Sequence, residues 1–447
     1  MRNMKTENEG ESIMSHWTRR KFMKAAGASL AASAVPFFAS KAGGASANET
    51  VNVAVAGVGG RGSGHAGSFA SMANSRLVAI CDVDPKRLEK TAKNVSEHGQ
   101  VKTYTDVRRM LEDKDIDAVS IATCDHWHTP IALAAIMSGK HVYVEKPSSH
   151  TVHEANLLME AAKKYNKCVQ HGTQRRSSSG LIATAKALRE GIIGDVYMAK
   201  AINHQRRRKI GRAEPTDPPE GVNYDLWLGP APKVPFTKNR WHYKWHWFWD
   251  YGGGDLVNDG IHHLDLAVWG MGMDKQYPTE IVTSGGQLWY DDDHETPDTQ
   301  TIVYVYPKVQ IMYEMRLWTP YDMGGHGNAT VFYGTEGWLE GTTAHKGKEK
   351  IKVRAEDYGV EPVEGIMENF ITAVRNDAPS MLTSPIEVGA VSSILCSLGN
   401  IGTRLGNATL TYDGKSRKIT KCSKNLNKAN AMLTKEYRRP YTLAYTG

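Results

Sequence analysis

Three stretches of this chain place ligand-binding or reactive residue types at spacings that chemistry can use. The first is Val51–Gly62, VNVAVAGVGGRG, an apolar run that opens into Gly57, Gly59 and Gly62. Glycines spaced in this way let a pyrophosphate approach bare backbone, where amide groups at the start of the next helix stabilise its charge. Asp82 stands twenty residues past Gly62, at the end of a second strand-like run, Arg76–Cys81, where a carboxylate can accept ribose hydroxyls. Together these predict a bound dinucleotide. The plainer alternative is a glycine-rich turn without a ligand.

The second stretch is Glu145-Lys146-Pro147, straight after the strand-like Lys140–Val144. A lysine at the carboxyl edge of a dinucleotide-binding sheet lies where a nicotinamide is expected, and the proline fixes the turn that presents it. An ammonium there can polarise a hydroxyl and stabilise the alkoxide formed as hydride leaves. A solvated loop lysine paired with Glu145 is the alternative. The third stretch is Gly252–Asp265, GGGDLVNDGIHHLD. If it is helical from Leu256, Asn258 and His262 share one face, and Asp259 and His263 share another about 100° around. One pair can then face the cofactor, with the histidine as proton acceptor and its neighbour fixing the tautomer. His246, His262, His263 and Asp265 are also zinc-ligand types, but no metal-binding spacing is present and no metal is expected.

The run from Trp241 to Tyr251 is the densest aromatic segment. Trp247 and Trp249 are expected in packing, and Trp241, Tyr243 and His246 in the lining of a substrate pocket, where aromatic faces stack on sugar C–H groups. Arg175-Arg176 is either solvated or reads an acidic substrate group; Arg206-Arg207-Arg208-Lys209 is expected to be solvated.

The elements that must position these residues follow from hydrophobic periodicity. Val51–Ala56, Arg76–Cys81, Asp117–Ala122, Lys140–Val144 and Lys167–Gln170 read as strands alternating with helices such as Asp84–Val95 and Pro130–Ser138, which predicts a parallel sheet covered on both faces. Ligands of such sheets lie at the carboxyl ends of the strands. Beyond Gly172 the strands Asp195–Asn203, Glu280–Ser284, Thr299–Tyr306, Val309–Leu317, Ala329–Phe332 and Lys350–Val353 are joined largely without helices, predicting an antiparallel sheet. Two helices are expected in this half, Leu256–Gly270 and Ser384–Leu405. Lys415–Lys435 reads as a polar tail lying on the surface. The implied division is residues 48–172, 173–376 and a packing segment 377–447.

Composition adds limits. The chain has 447 residues and a net charge of +7, but Met1–Ala47 carries seven Lys/Arg against three Glu, so the remainder holds only +3. That excess is too small to imply nucleic acid. In Met1–Ala47, Thr18-Arg19-Arg20-Lys21-Phe22-Met23-Lys24 precedes an apolar stretch, Ala25–Phe38, and then Ala45-Ser46-Ala47. This order predicts a twin-arginine export signal, cleavage near Asn48 and a periplasmic or otherwise exported protein, without membrane insertion. Folded export suits a tightly held cofactor. Five scattered cysteines argue against a disulfide framework and against structural zinc.

The glycine turn, Asp82, Thr123-Cys124-Asp125-His126-Trp127-His128, Glu145-Lys146-Pro147, and GGG followed by Gly260-x-His262-x-x-Asp265 together resemble the glucose-fructose oxidoreductase / inositol dehydrogenase / rhizopine-catabolism (Gfo/Idh/MocA) family. Gly172–Arg176, Asp225–Pro230 and Pro385-Ile386-Glu387 resemble an exported branch of it. The resemblance implies a Rossmann domain, a C-terminal α/β domain whose open, mainly antiparallel sheet often forms oligomers, and NAD(P)-dependent chemistry on a sugar or cyclitol. It makes Lys146 the substrate-binding lysine and His262 the acid/base. Gly57, Gly59, Arg61, Gly62, Asp82, Asp125, Trp127, His128 and Glu145 become cofactor contacts; Arg175, Trp241, Tyr243, His246 and His263 become substrate contacts. Asp82 favours NAD, while Arg61 and Lys86 leave NADP open. One departure is Asn258, where the family commonly has Asp: an amide orients His262 without stabilising its charge unless Asp259 or Asp265 compensates. Some relatives use bound NAD catalytically to cleave glycosidic bonds without net oxidation.

Overall fold

The structure, a computed structural model, describes residues 50–445, so the expected export segment lies outside the described residues. Six short runs rich in β-branched residues form a parallel sheet: β1 (Val51–Ala56), β2 (Ser75–Cys81), β3 (Lys102–Tyr104), β4 (Ala118–Ile121), β5 (His141–Val144) and β6 (Val169–His171), in the order β3-β2-β1-β4-β5-β6. This is the Rossmann order, with its topological switch between β1 and β4. Strand β3 was not visible in the sequence pattern, because its three residues are largely exposed. The carboxyl ends of β1, β2, β4 and β5 deliver Gly57, Asp82, Thr123–Asp125 and Glu145-Lys146 to one edge. The helix after β4 spans Asp125–Met137 and continues through Pro130 rather than starting there.

The second domain carries ten strands, ordered β14-β13-β12-β11-β7-β10-β9-β8-β15-β16. They are β7 (Val196–His204), β8 (Glu280–Gly286), β9 (Thr299–Val305), β10 (Gln310–Arg316), β11 (Ala329–Gly334), β12 (Gly337–Glu340), β13 (Thr343–Lys346), β14 (Glu349–Lys352), β15 (Leu410–Asp413) and β16 (Lys418–Cys422). All neighbouring pairs are antiparallel except β7 and β10, which run parallel with Met198 opposite Gln310. Parallel neighbours need a long crossover. Here the chain between them carries the aromatic segment and the Gly252–Asp265 motif. Alternation along β9 and β10 buries Ile302, Tyr304, Ile311 and Tyr313 while Val303 and Met312 stay partly exposed. The buried face is covered by the helices Ile261–Gly270 and Ile386–Arg404; Tyr304 Oη donates to the Leu395 carbonyl (3.0 Å), and a Cβ at Gly399 would lie 2.5 Å from Ile302 Cδ1. Helix Ile386–Arg404 is apolar and long enough to cross a membrane, but it is mostly buried in this core.

Two expectations change. Lys415–Lys435 is not a featureless tail: β16 pairs with β15 and extends the sheet, and Leu426–Ala431 forms a short helix capped by Asn425. Only Ile419 of β16 is fully buried, so the strand left little apolar signal. Packing also crosses the boundary expected at residue 376. Helix Ile366–Arg375 sits on the Rossmann sheet, with Phe370 and Ile371 in one cluster with Val53, Val55 and Tyr143.

Candidate functional site

The glycine turn is built for close approach. Gly57 has φ of +82°, and a Cβ there would lie 2.8 Å from the Ala122 carbonyl oxygen; one on Gly62 would collide with the Gly57 carbonyl at 1.8 Å. Nothing lies within 4 Å of the Cβ position of Gly60, and that residue begins the helix Arg61–Ser71 without a side-chain cap. Free helix amides therefore face open space, the requirement for binding a pyrophosphate. Asp82 accepts the Val58 amide (2.8 Å) and the Asp84 amide (3.0 Å), which aims its carboxylate toward Gly59. Each oxygen keeps a lone pair for a ribose hydroxyl. These residues fit a dinucleotide.

Lys146 follows β5. Its Nζ donates to the Asn258 carbonyl (2.5 Å) and to Asn258 Oδ1 (3.2 Å), so the two domains meet at the ammonium. Asn258 Nδ2 donates to Tyr243 Oη (3.0 Å) and to Asp255 Oδ1 (3.0 Å), which fixes the direction of the amide. Asp255 is fully buried and also accepts from Arg207 (3.0 Å) and Asn203 (3.2 Å). Burial pushes its carboxyl pKa up, with Arg207 opposing. His262 is held down to about 4, first by burial and then by the Lys146 charge, so it is a free base near neutral pH.

The expected pairing of Asn258 with His262 is overturned. Leu256–Gly260 forms a π turn before the α-helix Ile261–Gly270, so residues four apart no longer align. Among the described residues Asn258 bonds Lys146, Tyr243 and Asp255, not His262. A Cβ at Gly260 would meet Tyr313 Oη at 2.4 Å, so the backbone lies directly on the sheet there. Neither acid proposed as compensation is free. Asp265 takes a two-pronged bond from buried Arg176 (2.9 and 2.9 Å) and one from Ser392 (2.7 Å), and Asp259 bonds Arg207. Arg176 is thus scaffold rather than a solvated or substrate-reading group.

Several other expectations are redirected. Arg207 is not a solvated loop residue; it bridges Asp255 and Asp259 and lies over Tyr243 (5.6 Å) and Trp247 (5.9 Å). The loop expected to touch the cofactor is engaged internally. The His128 nitrogens lie 2.7 Å from the Pro147 carbonyl and 3.0 Å from that of Thr123, Trp127 Nε1 donates to the Trp227 carbonyl (3.1 Å), and Asp125 is buried. His128 thereby clamps the loop after β4 to the Lys146-Pro147 turn. Glu145 accepts from Arg61 (3.0 Å), His65 (3.2 Å) and Gln174 (2.9 Å). Its burial is outweighed by His65, Arg61 and Lys146, which hold the carboxyl well below its usual range. It anchors the turn.

On the substrate side, Tyr243 is half exposed with its hydroxyl at Asn258. Arg175 lies against the ring of His263 (3.1 and 3.3 Å), and His263 is buried beside Thr330 (3.3 Å), which leaves it no free edge for a ligand. Trp241 packs on Trp227 and Phe236, and buried His246 stacks on Trp245 (3.6 Å), so both are engaged in aromatic packing. Trp247 is buried, as expected. The five cysteines are free, and no cluster of metal-ligating residues occurs among the described residues. The residues missed from sequence are Asp255, Arg207, His65 and Gln174. Asp255 borders the GGG motif, but nothing in a basic run separates a half-buried, ion-paired arginine from its solvated neighbours.

Residues 51–173 match the model of an oxidoreductase family with an NAD-binding Rossmann fold, and residues 206–443 match that family's C-terminal alpha/beta domain. The chain belongs to the Gfo/Idh/MocA oxidoreductase family. Its cofactor is NAD. Among curated relatives, a Glycosyl hydrolase family 109 protein of Shewanella pealeana is 32% identical over 159 residues, 34% of this chain and 35% of that protein. Another from Saccharopolyspora erythraea is 31% identical over 172 residues, 37% of each. The chain therefore matches only about a third of the length of these relatives. Among solved structures, the WlbA dehydrogenase of Chromobactrium violaceum in complex with NADH and UDP-GlcNAcA aligns with a TM-score of 0.63 at 18% identity, over 82% of this chain and 97% of that one. GenD2 from gentamicin A biosynthesis in complex with NAD aligns with a TM-score of 0.58 at 18% identity, over 82% and 97%. These likenesses establish a shared fold.

Proposed function

We propose that the protein transfers hydride between NAD and a hydroxyl-bearing carbon of a sugar, cyclitol or glycoside. The observation that carries this reading is the Lys146 ammonium, fixed on Asn258 beside the neutral base His262 at the carboxyl edge of the Rossmann sheet. When bound, the nicotinamide supplies the hydride acceptor. The protein's part is proton and charge control. His262 takes the hydroxyl proton as its imidazole becomes imidazolium, and Lys146 stabilises the alkoxide oxygen by charge and by a donated hydrogen bond. Tyr243, whose hydroxyl receives a bond from Asn258, lines the substrate side and offers an aromatic face to a sugar ring.

A second reading is redox-neutral cleavage of a glycosidic bond on the same site, favoured by the Glycosyl hydrolase family 109 proteins among the relatives. Incubation with NAD and a panel of sugars and glycosides, following both reduced nicotinamide and released aglycone, separates the two. Reduced cofactor in step with substrate supports net oxidation; many turnovers of aglycone without it support cleavage. Neither signal across the panel overturns both. The export signal and a tightly retained NAD belong to the same proposal, as does homo-oligomerisation through the uncovered face of the ten-stranded sheet. That face presents Val282, Val303 and Met312.

A further inference from the structure

A cavity of about 370 Å³ opens beside the Lys146-Pro147 turn, between Pro147, helix Ile386–Arg404 and the C-terminal segment that follows β16. Lys146, Asn258, His262, Tyr243 and Arg207 do not line it. Its floor is formed by buried residues, among them Asp125, Ser149, Thr151 and Asn400; its rim carries exposed Asp250, Arg404, Lys428 and Glu436. Two floor residues hold buried polar atoms without a partner, Asp125 Oδ2 and Ser149 Oγ. Asp125 and Ser149 are each 2% exposed. A buried polar atom left unpaired costs about 1–3 kcal/mol, and two on the floor of one cavity point to a polar occupant.

The lining selects its chemistry. The rim is balanced, two acids against two bases, so it attracts neither sign of ion. On the floor an anion would meet Asp125, and a cation would meet Lys435, whose Nζ lies at His150 Nδ1 (3.0 Å) and Glu154 (3.0 Å). A hydroxyl both donates and accepts, so it satisfies Ser149 and Asp125 in either protonation state of the acid. Burial, opposed by Lys146 and Lys435, pushes that acid's pKa well up, adding a donor. Trp249 and Pro147 supply apolar faces for ring C–H groups. At about 30 Å³ per water the volume exceeds a single structural water by roughly tenfold and suits a mono- or disaccharide.

We propose that this cavity is a second, non-catalytic binding site for a small neutral polyhydroxylated molecule. The C-terminal segment creates it, held in place by Tyr437 Oη donating to Glu154 (2.8 Å) and by the His153 amide donating to the Leu433 carbonyl (2.9 Å).

The test is calorimetric titration of the NAD-loaded full chain with myo-inositol, glucose and cellobiose, in the parent and in three variants. Thr434→Trp and Ala431→Trp place an indole at exposed rim positions. Lys146→Met disables the catalytic crevice. The expected result is that at least one of the three ligands binds, that either rim variant weakens it about tenfold or more with an unchanged melting temperature, and that Lys146→Met leaves it within about twofold. Binding indifferent to both rim variants, binding lost in Lys146→Met, or no binding of any of the three overturns the proposal. Because it reads binding rather than turnover, its outcome is separate from that of the hydride-transfer assay.

Discussion

Replacing Asn258 by Asp, the residue that the family resemblance leads one to expect here, is expected to damage this protein rather than improve it. A carboxylate oxygen in place of Oδ1 stands 3.2 Å from Lys146 Nζ, which at an effective dielectric constant of about 20 is worth about 5 kcal/mol of attraction. The other oxygen replaces Nδ2, 3.0 Å from Asp255 Oδ1, and the same arithmetic gives about 5.5 kcal/mol of repulsion. The two nearly cancel. What remains is the loss of two donated bonds, to Asp255 and to Tyr243, worth about 1–3 kcal/mol of stability at pH 7. The facing carboxyls then share a proton with a raised pKa. A folded state that binds a proton more tightly than the unfolded chain gains stability as pH falls, so the deficit should shrink toward the unfolded carboxyl value of about 3.9. Urea unfolding of Asn258→Asp and parent across this range measures the effect, and turnover should not rise. A variant as stable as the parent at pH 7 and faster in turnover would refute the reasoning.

Lys146→Met should lower turnover by about 10²–10⁴ while leaving NAD binding intact, as rate and cofactor titration would record. Gly62→Ala puts a methyl 1.8 Å from the Gly57 carbonyl oxygen, so NAD binding should be lost in fluorescence titration. Acid should destabilise the fold before the carboxylates titrate. Burial holds His126, His246 and His263 down to about 3 and His141, His171 and His262 down to about 4. The unfolded chain accepts protons that the folded state refuses from about pH 6.5 downward, so each histidine removes up to about 1.4 kcal/mol per pH unit as pH falls to its folded value. A flat melting temperature between about pH 6.5 and 5 would contradict this. Asp265→Asn removes the charge that takes two bonds from buried Arg176 and leaves it only the longer pair with Asp274 (3.3 Å); a loss of about 3 kcal/mol in urea unfolding is expected.

Where one physical cause acted along the chain, the sequence was a good guide. β1, β2, β4 and β5 are buried apolar runs bounded by turn residues, and each stands within a residue or two of its reading, with Gly57, Asp82 and Lys146 at their carboxyl ends. What escaped depends on contacts distant in sequence. The π turn at Leu256–Gly260 arises where the backbone at Gly260 lies against Tyr313, a residue on β10, and no helical periodicity carries that information. Arg207 became a half-buried partner of Asp255 because β7 runs beside the motif, 48 residues away in sequence. The family resemblance made His128 a cofactor contact. In the structure its ring lies against the backbone of the Lys146-Pro147 turn.

The arrangement of the core bears on how the crevice works. The chain does not finish one domain before starting the other. Helix Ile366–Arg375 returns to the Rossmann sheet, where Phe370 meets Tyr143 edge-on (5.9 Å), and helix Ile386–Arg404 then runs back under the second sheet. Across the seam, the Ser148 amide donates to Ser393 Oγ (3.1 Å), the His126 amide donates to the Tyr251 carbonyl (3.2 Å), and the His171 amide donates to the Ser384 carbonyl (2.8 Å). Opening the crevice by a hinge would break these buried bonds together, at about 1 kcal/mol or more each. Contacts made in this way hold Lys146 against Asn258 without waiting for substrate.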